Sequence, residues 1–366
     1  MRYIIKIILL VLIVKIVYFI FASYFIERVD LNILNRNDSG WYETIAINGH
    51  SKITPDQLGK CEDGNIQQSY YAFFPLYPAI LGLTLKLTGL TFNTIAFIYS
   101  IIFSIMLFLI FFKYISQIFA SQSIGFYATI ILILFPFHYY FSVYYTEALF
   151  LFLLIGSFYS IKTKRFVLFS VLSSLLVLVR PNGMLMLIPL FIYFFESHYS
   201  LKPKELCSKP VKEYIPILIF IIPIVIFLLY CTYLKIMTGD FFAYKTAQAG
   251  WCRETVFPWV PILRCSNWMD YFRTFYLFFF IAVSLIQIRK IPLSFTLLIW
   301  ISLLLPIIAN RITDPRYISV IFVFPMIFGK MMDRWNYYVR IVILLLLFSA
   351  QLWSFYFWII GSEFSY

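Results

Sequence analysis

Long apolar stretches separated by short polar segments recur along almost the whole chain. The clearest lie at residues 3–25, 93–112, 214–234, 274–288 and 338–358. These have about the length of 17–25 residues that an α-helix uses to cross a bilayer. Shorter or less regular apolar stretches predict further crossings at 120–137, 146–161, 165–180, 183–195, 292–310 and 316–330. The pattern therefore predicts an all-α, polytopic membrane protein of about 11 transmembrane helices, with a range of about 9–13.

Composition agrees with this pattern. Of the 366 residues, 62% are hydrophobic and only 13% are charged, whereas a soluble domain carries roughly 25% charged residues. The first apolar stretch has the basic start of a signal peptide, but no small-residue cleavage site follows it at residues 23–27. We therefore expect it to remain as the first helix, and we expect residues 1–366 to form a single integral membrane domain.

The basic residues predict the orientation of the chain. The connections at 162–165, 202–212, 289–290 and 330–340 are rich in Lys and Arg, and short cytoplasmic loops carry such an excess. With the crossings drawn above, all four connections and the N-terminus lie in the cytoplasm. The net charge of +12 is then explained by anionic lipid headgroups, and we expect no nucleic-acid partner.

Two long loops, at 27–75 and 235–271, face the opposite, non-cytoplasmic side in this topology. The apolar stretch at 76–90 must not cross, because a crossing there would invert every later loop. We expect it to lie on the outer face as an interfacial helix after the long first loop. The segment at 165–195 is short for two crossings, and a re-entrant hairpin there would leave the orientation unchanged.

Two acidic residues stand at the outer ends of predicted helices. Asp38 follows the first helix, and a carboxylate near the membrane surface can accept a proton from a hydroxyl. Glu147 begins a membrane helix, and an ionisable residue at that depth indicates a function. Each acid has a simpler explanation, since Asp38 is a good N-cap and Glu147 offsets the positive end of a helix.

Two arginines and one further acid occupy similar outer positions. Arg180 opens an Arg-Pro-Asn-Gly turn, Arg316 follows Pro315 at the start of a late helix, and Asp240 opens the second long loop. A guanidinium group suits bidentate contact with phosphate, although an arginine at a helix end is also a common membrane anchor.

Several common catalytic signatures are absent from the sequence. It has no Walker A loop, no Gly-x-Ser-x-Gly elbow and no dinucleotide-binding glycine motif. It also lacks an Asp-x-Asp pair, and its three histidines are widely scattered. We expect no cofactor and no metal site. The five cysteines include no Cys-x-x-Cys pair. Cys252 and Cys265 share the second outer loop and Cys61 lies in the first, where an oxidising compartment permits a bridge; we favour the pair Cys252–Cys265.

The motifs, taken in order, resemble the second mannosyltransferase of GPI-anchor synthesis and its bacterial relatives, a PIG-V-like family of the GT-C glycosyltransferase superfamily. The resemblance spans roughly residues 30–325. The matching positions are Asp38, Trp41, Tyr42, Ile45, Ala46 and Gly49, the Phe-Phe-Pro-Leu-Tyr-Pro segment at 73–78 that contains Tyr77, Tyr145-Thr146-Glu147, Arg180-Pro181-Asn182-Gly183, Gly239-Asp240 and Pro315-Arg316-Tyr317.

The resemblance implies an inverting, metal-independent enzyme with a GT-C-like fold. Such an enzyme moves a hexose, typically mannose, from a polyprenyl-phosphate donor to a glycolipid or other lipid-linked acceptor outside the cytoplasm, in a bacterial inner membrane or the endoplasmic reticulum. In that frame Asp38 is the general base and Glu147 an auxiliary acid, while Arg316 and Arg180 bind the donor phosphate. The expected substrate-binding residues are Trp41, Tyr42, Tyr77, His138 and Asp240.

Two other functions are compatible with a polytopic protein. A transporter or flippase for a lipid-linked sugar also needs polar groups that face outward, but it should show broken helices near the bilayer midplane and repeated halves. The acids here cluster at helix ends and in outer loops, and no repeat is evident. A purely structural membrane protein leaves the ordered motifs unexplained. The sequence therefore favours the enzyme.

Overall fold

The computed structural model describes residues 2–27, 29–62, 65–198, 217–310, 315–362 and 364. Most of these residues are helical. In chain order the α-helices are α1 (Arg2–Ser23), α2 (Asp38–Asn48), α3 (Leu76–Thr88), α4 (Phe92–Phe119), α5 (Gln122–Leu134), α6 (Glu147–Lys162), α7 (Phe166–Leu176), α8 (Leu187–His198), α9 (Ile221–Thr238), α10 (Ala243–Thr246), α11 (Trp259–Leu263), α12 (Trp268–Gln287), α13 (Leu293–Ile308), α14 (Pro315–Ser319), α15 (Val323–Met332) and α16 (Tyr337–Ile359). The strands in this part of the chain are β1 (Lys60–Glu62) and β2 (Asn65–Gln67), which pair antiparallel.

Five segments of the described chain are long and apolar enough to cross a membrane: α1, α4, Ile217–Thr238 with α9 at its end, α12 and α16. They coincide with the five clearest apolar stretches of the sequence. Shorter helices lie at the other expected crossings, and α3 lies at the predicted interfacial helix. The all-α, polytopic membrane fold is confirmed, while the depth of each short helix stays a prediction. The basic connection at 202–212 lies outside the described residues.

Polar residues at the connections start several of the long helices. The side chain of Thr91 accepts a hydrogen bond from the backbone N–H of Thr94 at the start of α4. Asn336 does the same for Val339 at the start of α16, with a distance of 2.9 Å. Such caps satisfy backbone N–H groups that have no partner inside the helix, so the short polar connections also mark where the helices begin.

The described chain divides into two compact units. The first unit consists of Met1–Gly40, Thr84–Ile155 and Pro315–Tyr366. In its interior α5 packs against α4 and α15. A Cβ atom added at Gly329 would lie 2.4 Å from the Cα atom of Ala128, so α15 and α5 meet at backbone contact distance. Small residues allow this close approach between membrane helices, where dispersion contacts and hydrogen bonds replace the hydrophobic effect.

Helix α16 holds the end of α5 in the first unit. The buried amide of Gln351 donates hydrogen bonds to the carbonyl oxygens of Ile133 at 2.8 Å and Phe135 at 3.1 Å. The hydroxyl of Ser354 accepts a hydrogen bond from the N–H of Phe137 at 3.2 Å. Backbone carbonyls at a helix end need partners of this kind. The contacts therefore fix the segment after α5, which leads to Glu147.

The second unit consists of Trp41–Leu83 and Gly156–Asp314. Its core includes the ring of Phe158, which packs against Tyr193 from α8 and Phe295 from α13 at centroid distances of 5.0 and 5.6 Å. At one end of this pair of helices, the carboxylate of Glu196 accepts a hydrogen bond of 2.5 Å from the hydroxyl of Ser294, the second residue of α13. Aromatic packing and a charged cap together join α8 to α13.

Two loops of the second unit are joined by a disulfide between Cys61 and Cys252, with Cα atoms 5.2 Å apart. The predicted pair Cys252–Cys265 is therefore wrong, and Cys265 is a free thiol. The β-hairpin determines the true pairing. A Cβ atom at Gly59 would lie 2.8 Å from the carbonyl oxygen of Ala247, and one at Gly250 would lie 2.3 Å from that of Gln67. The hairpin backbone thus packs directly against the turn at 247–251 and brings Cys61 to Cys252.

We expect Cys61→Ser to lower the free energy of unfolding by about 2–4 kcal/mol, because the disulfide joins residues far apart in sequence and restricts the unfolded chain. Thermal unfolding in detergent measures the loss of stability, and thiol titration without reductant measures the number of oxidised thiols. Cys265→Ser is the matched control and should change neither the melting temperature nor the number of oxidised thiols. A Cys61→Ser protein as stable as wild type would contradict a stabilising role for the bridge.

Candidate active site

Three charged side chains that are distant in sequence meet in the first unit. The guanidinium group of Arg316 donates one hydrogen bond from Nη1 to Oδ2 of Asp38 and another from Nε to Oε1 of Glu147. Both donor–acceptor distances are 2.5 Å. These contacts are also ion pairs. We call Asp38, Glu147 and Arg316 the ion-pair cluster. It joins both acids that the sequence singles out to one of the two predicted phosphate ligands.

Each member of the ion-pair cluster lies at the start of a helix. Asp38 is the first residue of α2 and Glu147 is the first residue of α6. Arg316 follows Pro315, which opens the short helix α14. The N-terminal end of a helix carries partial positive charge and stabilises a nearby carboxylate. The helix-start explanation and the functional explanation of the two acids are therefore compatible, since the same position serves both.

The members of the ion-pair cluster differ in their access to solvent. The side chain of Glu147 has no exposed surface, that of Arg316 is 8% exposed, and that of Asp38 is 25% exposed. A charge without water contact requires a close partner of opposite sign, so Glu147 holds the guanidinium in place. Asp38 is the carboxylate that another molecule can reach. With both acids ionised, the cluster has a formal charge of −1.

Aromatic rings surround Arg316. Its guanidinium carbon lies 4.2 Å from the ring centroid of Tyr145 and 5.7 Å from that of Tyr140. The two tyrosine rings are nearly parallel, and Trp358 from α16 packs edge-on against Tyr145 with centroids 5.4 Å apart. A cation over an aromatic face is attracted by the ring quadrupole. The rings and the two carboxylates thus fix the guanidinium on several sides.

The chain before Asp38 is tied to the rest of the first unit. The indole N–H of the fully buried Trp358 donates to the carbonyl oxygen of Ile33 at 2.8 Å, and the hydroxyl of Tyr144 donates to that of Leu31 at 2.9 Å. Asn37 then adopts a left-handed conformation with φ of 53°, which asparagine tolerates better than most residues. These contacts aim the start of α2 and place the Asp38 carboxylate beside Arg316.

His138, a predicted substrate-binding residue, lies in the interior of the first unit. Its side chain is 4% exposed, and Nδ1 donates to the carbonyl oxygen of Leu132 at 2.5 Å. The ring packs between Phe135 and Phe141. Burial lowers the pKa of His138 to about 3, so the imidazole is neutral. These contacts account for the residue without a substrate, and its substrate role stays a prediction.

The predicted aromatic residues Trp41, Tyr42 and Tyr77 lie in the second unit. Trp41 stacks against Phe73 with centroids 6.0 Å apart and meets Trp251 edge-on at 5.8 Å. Tyr42 and Tyr77 are almost fully buried and pack edge-to-face at 5.1 Å. The half-buried Trp41 therefore has a surface for a ligand, whereas the other two rings form part of the core.

Arg180 and Asp240 also lie in the second unit. Arg180 is 9% exposed and precedes the turn Pro181–Gly183, in which its carbonyl accepts from the N–H of Gly183 at 2.9 Å. The carboxylate of Asp240 accepts from the backbone N–H of Phe242 at 2.8 Å and from the hydroxyl of Thr246 at 2.5 Å. These local contacts give Asp240 a turn-stabilising role. The predicted ligand roles of both residues stay predictions.

Sequence reasoning missed the aromatic residues around Arg316. Tyr145 stands two residues before Glu147 in a matched motif, so its position was a usable signal. Tyr140 lies in the aromatic segment that begins at His138. Trp358 gave no signal, because it is one of many aromatic residues in an apolar C-terminal helix.

The fold is similar to that of ArnT from Cupriavidus metallidurans, solved bound to undecaprenyl phosphate. The two share 12% sequence identity and a TM-score of 0.55, and the match covers 90% of this chain and 60% of that one. This chain therefore spans less than two thirds of the length of that protein. The likeness concerns the fold alone, and it agrees with the all-α, polytopic membrane fold.

Two structures of an oligosaccharyltransferase from Archaeoglobus fulgidus align less well. One is the apo form and the other, named AglB, is in complex with an inhibitory peptide and a dolichol-phosphate. Their TM-scores are 0.48 and 0.45, with 12% identity and coverage of 97% of this chain and 56% of each of theirs. No protein-family model and no curated protein sequence matches the chain.

Proposed function

We propose that this protein is a glycosyltransferase that moves a hexose, typically mannose, from a polyprenyl-phosphate donor to a hydroxyl group of a glycolipid or other lipid-linked acceptor. The ion-pair cluster carries this proposal, because it presents a reachable carboxylate beside an immobilised guanidinium group. The fold shared with ArnT, which was solved with undecaprenyl phosphate, supports a polyprenyl-phosphate lipid as the donor class.

Asp38 is the general base of the proposed reaction. The adjacent guanidinium stabilises the ionised form of a carboxylate, which is the form that accepts a proton. The acceptor oxygen attacks the anomeric carbon as its proton passes to Asp38. The bond between that carbon and the phosphate oxygen breaks on the opposite side, so the configuration inverts and the polyprenyl phosphate leaves with the bonding electrons.

Arg316 retains hydrogen-bonding capacity for the leaving phosphate. A guanidinium group has five N–H donors, and the two contacts to Asp38 and Glu147 use one at Nε and one at Nη1. The remaining donors can face a phosphate oxygen, and a cation placed there stabilises the charge that develops as the sugar departs. Glu147 acts as the positioning acid, because it fixes the orientation of this guanidinium.

The donor phosphate requires a second cation in this proposal. The ion-pair cluster has a formal charge of −1 when both carboxylates are ionised, so Arg316 alone does not offset an added phosphate. Arg180 is the candidate that the sequence supplies. In the same proposal Trp41 offers its partly exposed ring to a sugar face, since aromatic rings stack readily on apolar faces.

We also propose that the reaction takes place on the non-cytoplasmic side. The Cys61–Cys252 disulfide supports this side, because structural disulfides persist in oxidising compartments and are rare in the cytosol. It joins the loops at 27–75 and 235–271, which the distribution of Lys and Arg also assigns to the outside. In a bacterium the protein would lie in the inner membrane.

A transfer assay with purified protein tests the proposed function. We expect radiolabelled sugar to move from a polyprenyl-phosphate donor, with mannose preferred among a panel of sugars, and we expect chelators to leave the rate unchanged. The product should have the anomeric configuration opposite to that of the donor. Movement of the intact lipid-linked sugar across proteoliposome membranes without transfer would instead identify a flippase, the second function that the sequence allows.

A further inference from the structure

Tyr145 packs its ring against Arg316, and its hydroxyl is one of several in the first unit that are buried without a hydrogen-bond partner among the described residues. The residue is 3% exposed, and its hydroxyl oxygen is buried with no hydrogen-bond partner among the described residues. Most buried side-chain polar atoms in proteins have a partner, because leaving one unsatisfied lowers stability. Because this hydroxyl belongs to the ring that packs against Arg316, a molecule bound at the ion-pair cluster is the partner that it can serve.

The neighbouring residue shows the usual arrangement. The hydroxyl of Tyr144 donates to the carbonyl oxygen of Leu31 at 2.9 Å. Tyr144 and Tyr145 are both buried and adjacent in sequence, so the segment can satisfy a phenol hydroxyl. The Tyr145 hydroxyl therefore differs from that of its neighbour in having no structural partner in the described part of the chain.

The surroundings of Tyr145 make its hydroxyl a hydrogen-bond donor. Burial, followed by the negative charge of Asp38, raises the pKa of Tyr145 well above its usual value. The phenol is thus protonated at any physiological pH. Its ring face is occupied by the guanidinium of Arg316 at 4.2 Å, and its other neighbours, Tyr140 and Trp358, pack against the ring. The part of the Tyr145 side chain that remains for contact with a ligand is its O–H group.

We propose that the hydroxyl of Tyr145 donates a hydrogen bond to a phosphate oxygen of a polyprenyl-phosphate lipid, beside the remaining N–H donors of Arg316. This inference rests on the proposed function, and it assigns to that site a phosphate-binding residue in addition to Arg316. Because the bond in question is charge-assisted, it is stronger than one between neutral partners. The hydroxyl of Ser39, which follows Asp38 in the sequence, is also buried without a hydrogen bond in the described residues.

Tyr145→Phe and Tyr144→Phe form a matched pair that separates binding from stability. Each substitution removes one hydroxyl and keeps the ring. We expect Tyr145→Phe to keep or raise the melting temperature and to weaken binding of undecaprenyl phosphate about tenfold. Tyr144→Phe should lower the melting temperature, since it breaks the bond to Leu31, and should weaken the affinity far less than Tyr145→Phe does. Thermal unfolding and lipid titration by native mass spectrometry measure both quantities.

The lipid titration identifies the source of the phosphate. Inorganic phosphate, used as a second ligand, should bind much more weakly than undecaprenyl phosphate. Equal binding of both, with the same dependence on Tyr145, would overturn the lipid as the source. Undiminished affinity of Tyr145→Phe for the lipid, a fall in its melting temperature like that of Tyr144→Phe, or no lipid binding by wild type would each overturn the inference.

The same titration separates this inference from the proposed function. If wild type binds undecaprenyl phosphate through Tyr145 but transfers no sugar from any donor, the phosphate-binding role stands and the transferase proposal fails. If transfer occurs and Tyr145→Phe has the same affinity and the same KM for the donor as wild type, the transferase stands and the Tyr145 inference fails.

Discussion

Asp38→Asn should lower the turnover number by roughly 10²–10⁴-fold, the contribution that a positioned general base typically makes. The amide has nearly the shape of the carboxylate but does not accept the proton of the acceptor hydroxyl. The affinity for the donor lipid should change far less than the turnover. Turnover measured at saturating donor and acceptor, together with lipid titration, gives both numbers.

The same substitution tests the simpler explanation of Asp38 as a residue that starts a helix. Asparagine, like aspartate, is well tolerated at the start of a helix, so the Asp38→Asn protein should fold and insert into membranes. Its pair with Arg316 involves a side chain that is 25% exposed, so solvent screening limits the loss of stability. Glu43→Gln in the same helix is the matched control, and its turnover should stay close to that of wild type. A folded Asp38→Asn protein with normal turnover would leave Asp38 with a structural role alone and make Glu147 the next candidate base.

Arg316→Ala should destabilise the protein by about 3–5 kcal/mol, because it leaves the carboxylate of Glu147 buried without its cation. The side chain of Glu147 has no exposed surface, so water cannot replace the guanidinium. We expect poor yield of folded protein in detergent and no transfer. The yield of monodisperse protein and the melting temperature measure the effect on stability.

Two further variants separate the structural role of Arg316 from its role toward the phosphate. Arg316→Lys keeps the charge but loses the planar fork that contacts both acids, so we expect a folded protein with partial activity. The double variant Arg316→Met with Glu147→Gln removes both buried charges and should recover stability while transfer stays absent. Full transfer and donor affinity in a folded Arg316→Ala protein would show that Arg316 does not bind the phosphate.

The order of these effects depends on which residue of the ion-pair cluster is changed. Asp38 is partly exposed and is the proposed base, so its loss should be seen chiefly in turnover. Glu147 and Arg316 are buried, so their loss should be seen first in stability. A uniform loss of stability and activity at all three positions would indicate a structural cluster, and would argue against the transferase mechanism.

The sequence by itself determined the helical membrane fold. Apolar stretches of bilayer length predict helices because the backbone has no water to bond to in the hydrocarbon core, and α1, α4, α12 and α16 lie where these stretches do. The same local reasoning found Asp38, Glu147 and Arg316 as separate charges at helix ends. Charged residues are rare in such a chain, so each one stands out.

Only the tertiary structure decided which of these residues meet. Arg316 is 278 positions from Asp38 and 169 from Glu147, and no local pattern encodes contacts over such distances. The predicted cysteine pair was wrong for the same reason. Proximity in sequence favoured Cys265 as the partner of Cys252, whereas backbone packing at Gly59 and Gly250 brings Cys61 to Cys252.

The same limit explains why Tyr145 was not singled out. Tyr145 is one of 28 tyrosines in the chain. Only the folded structure shows that its hydroxyl is buried without a hydrogen bond and that its ring packs against Arg316. Local periodicity and charge depend on neighbours along the chain, and they determine where helices form. Hydrogen-bond satisfaction, burial and ion pairing depend on neighbours in space, so they follow from the packed structure.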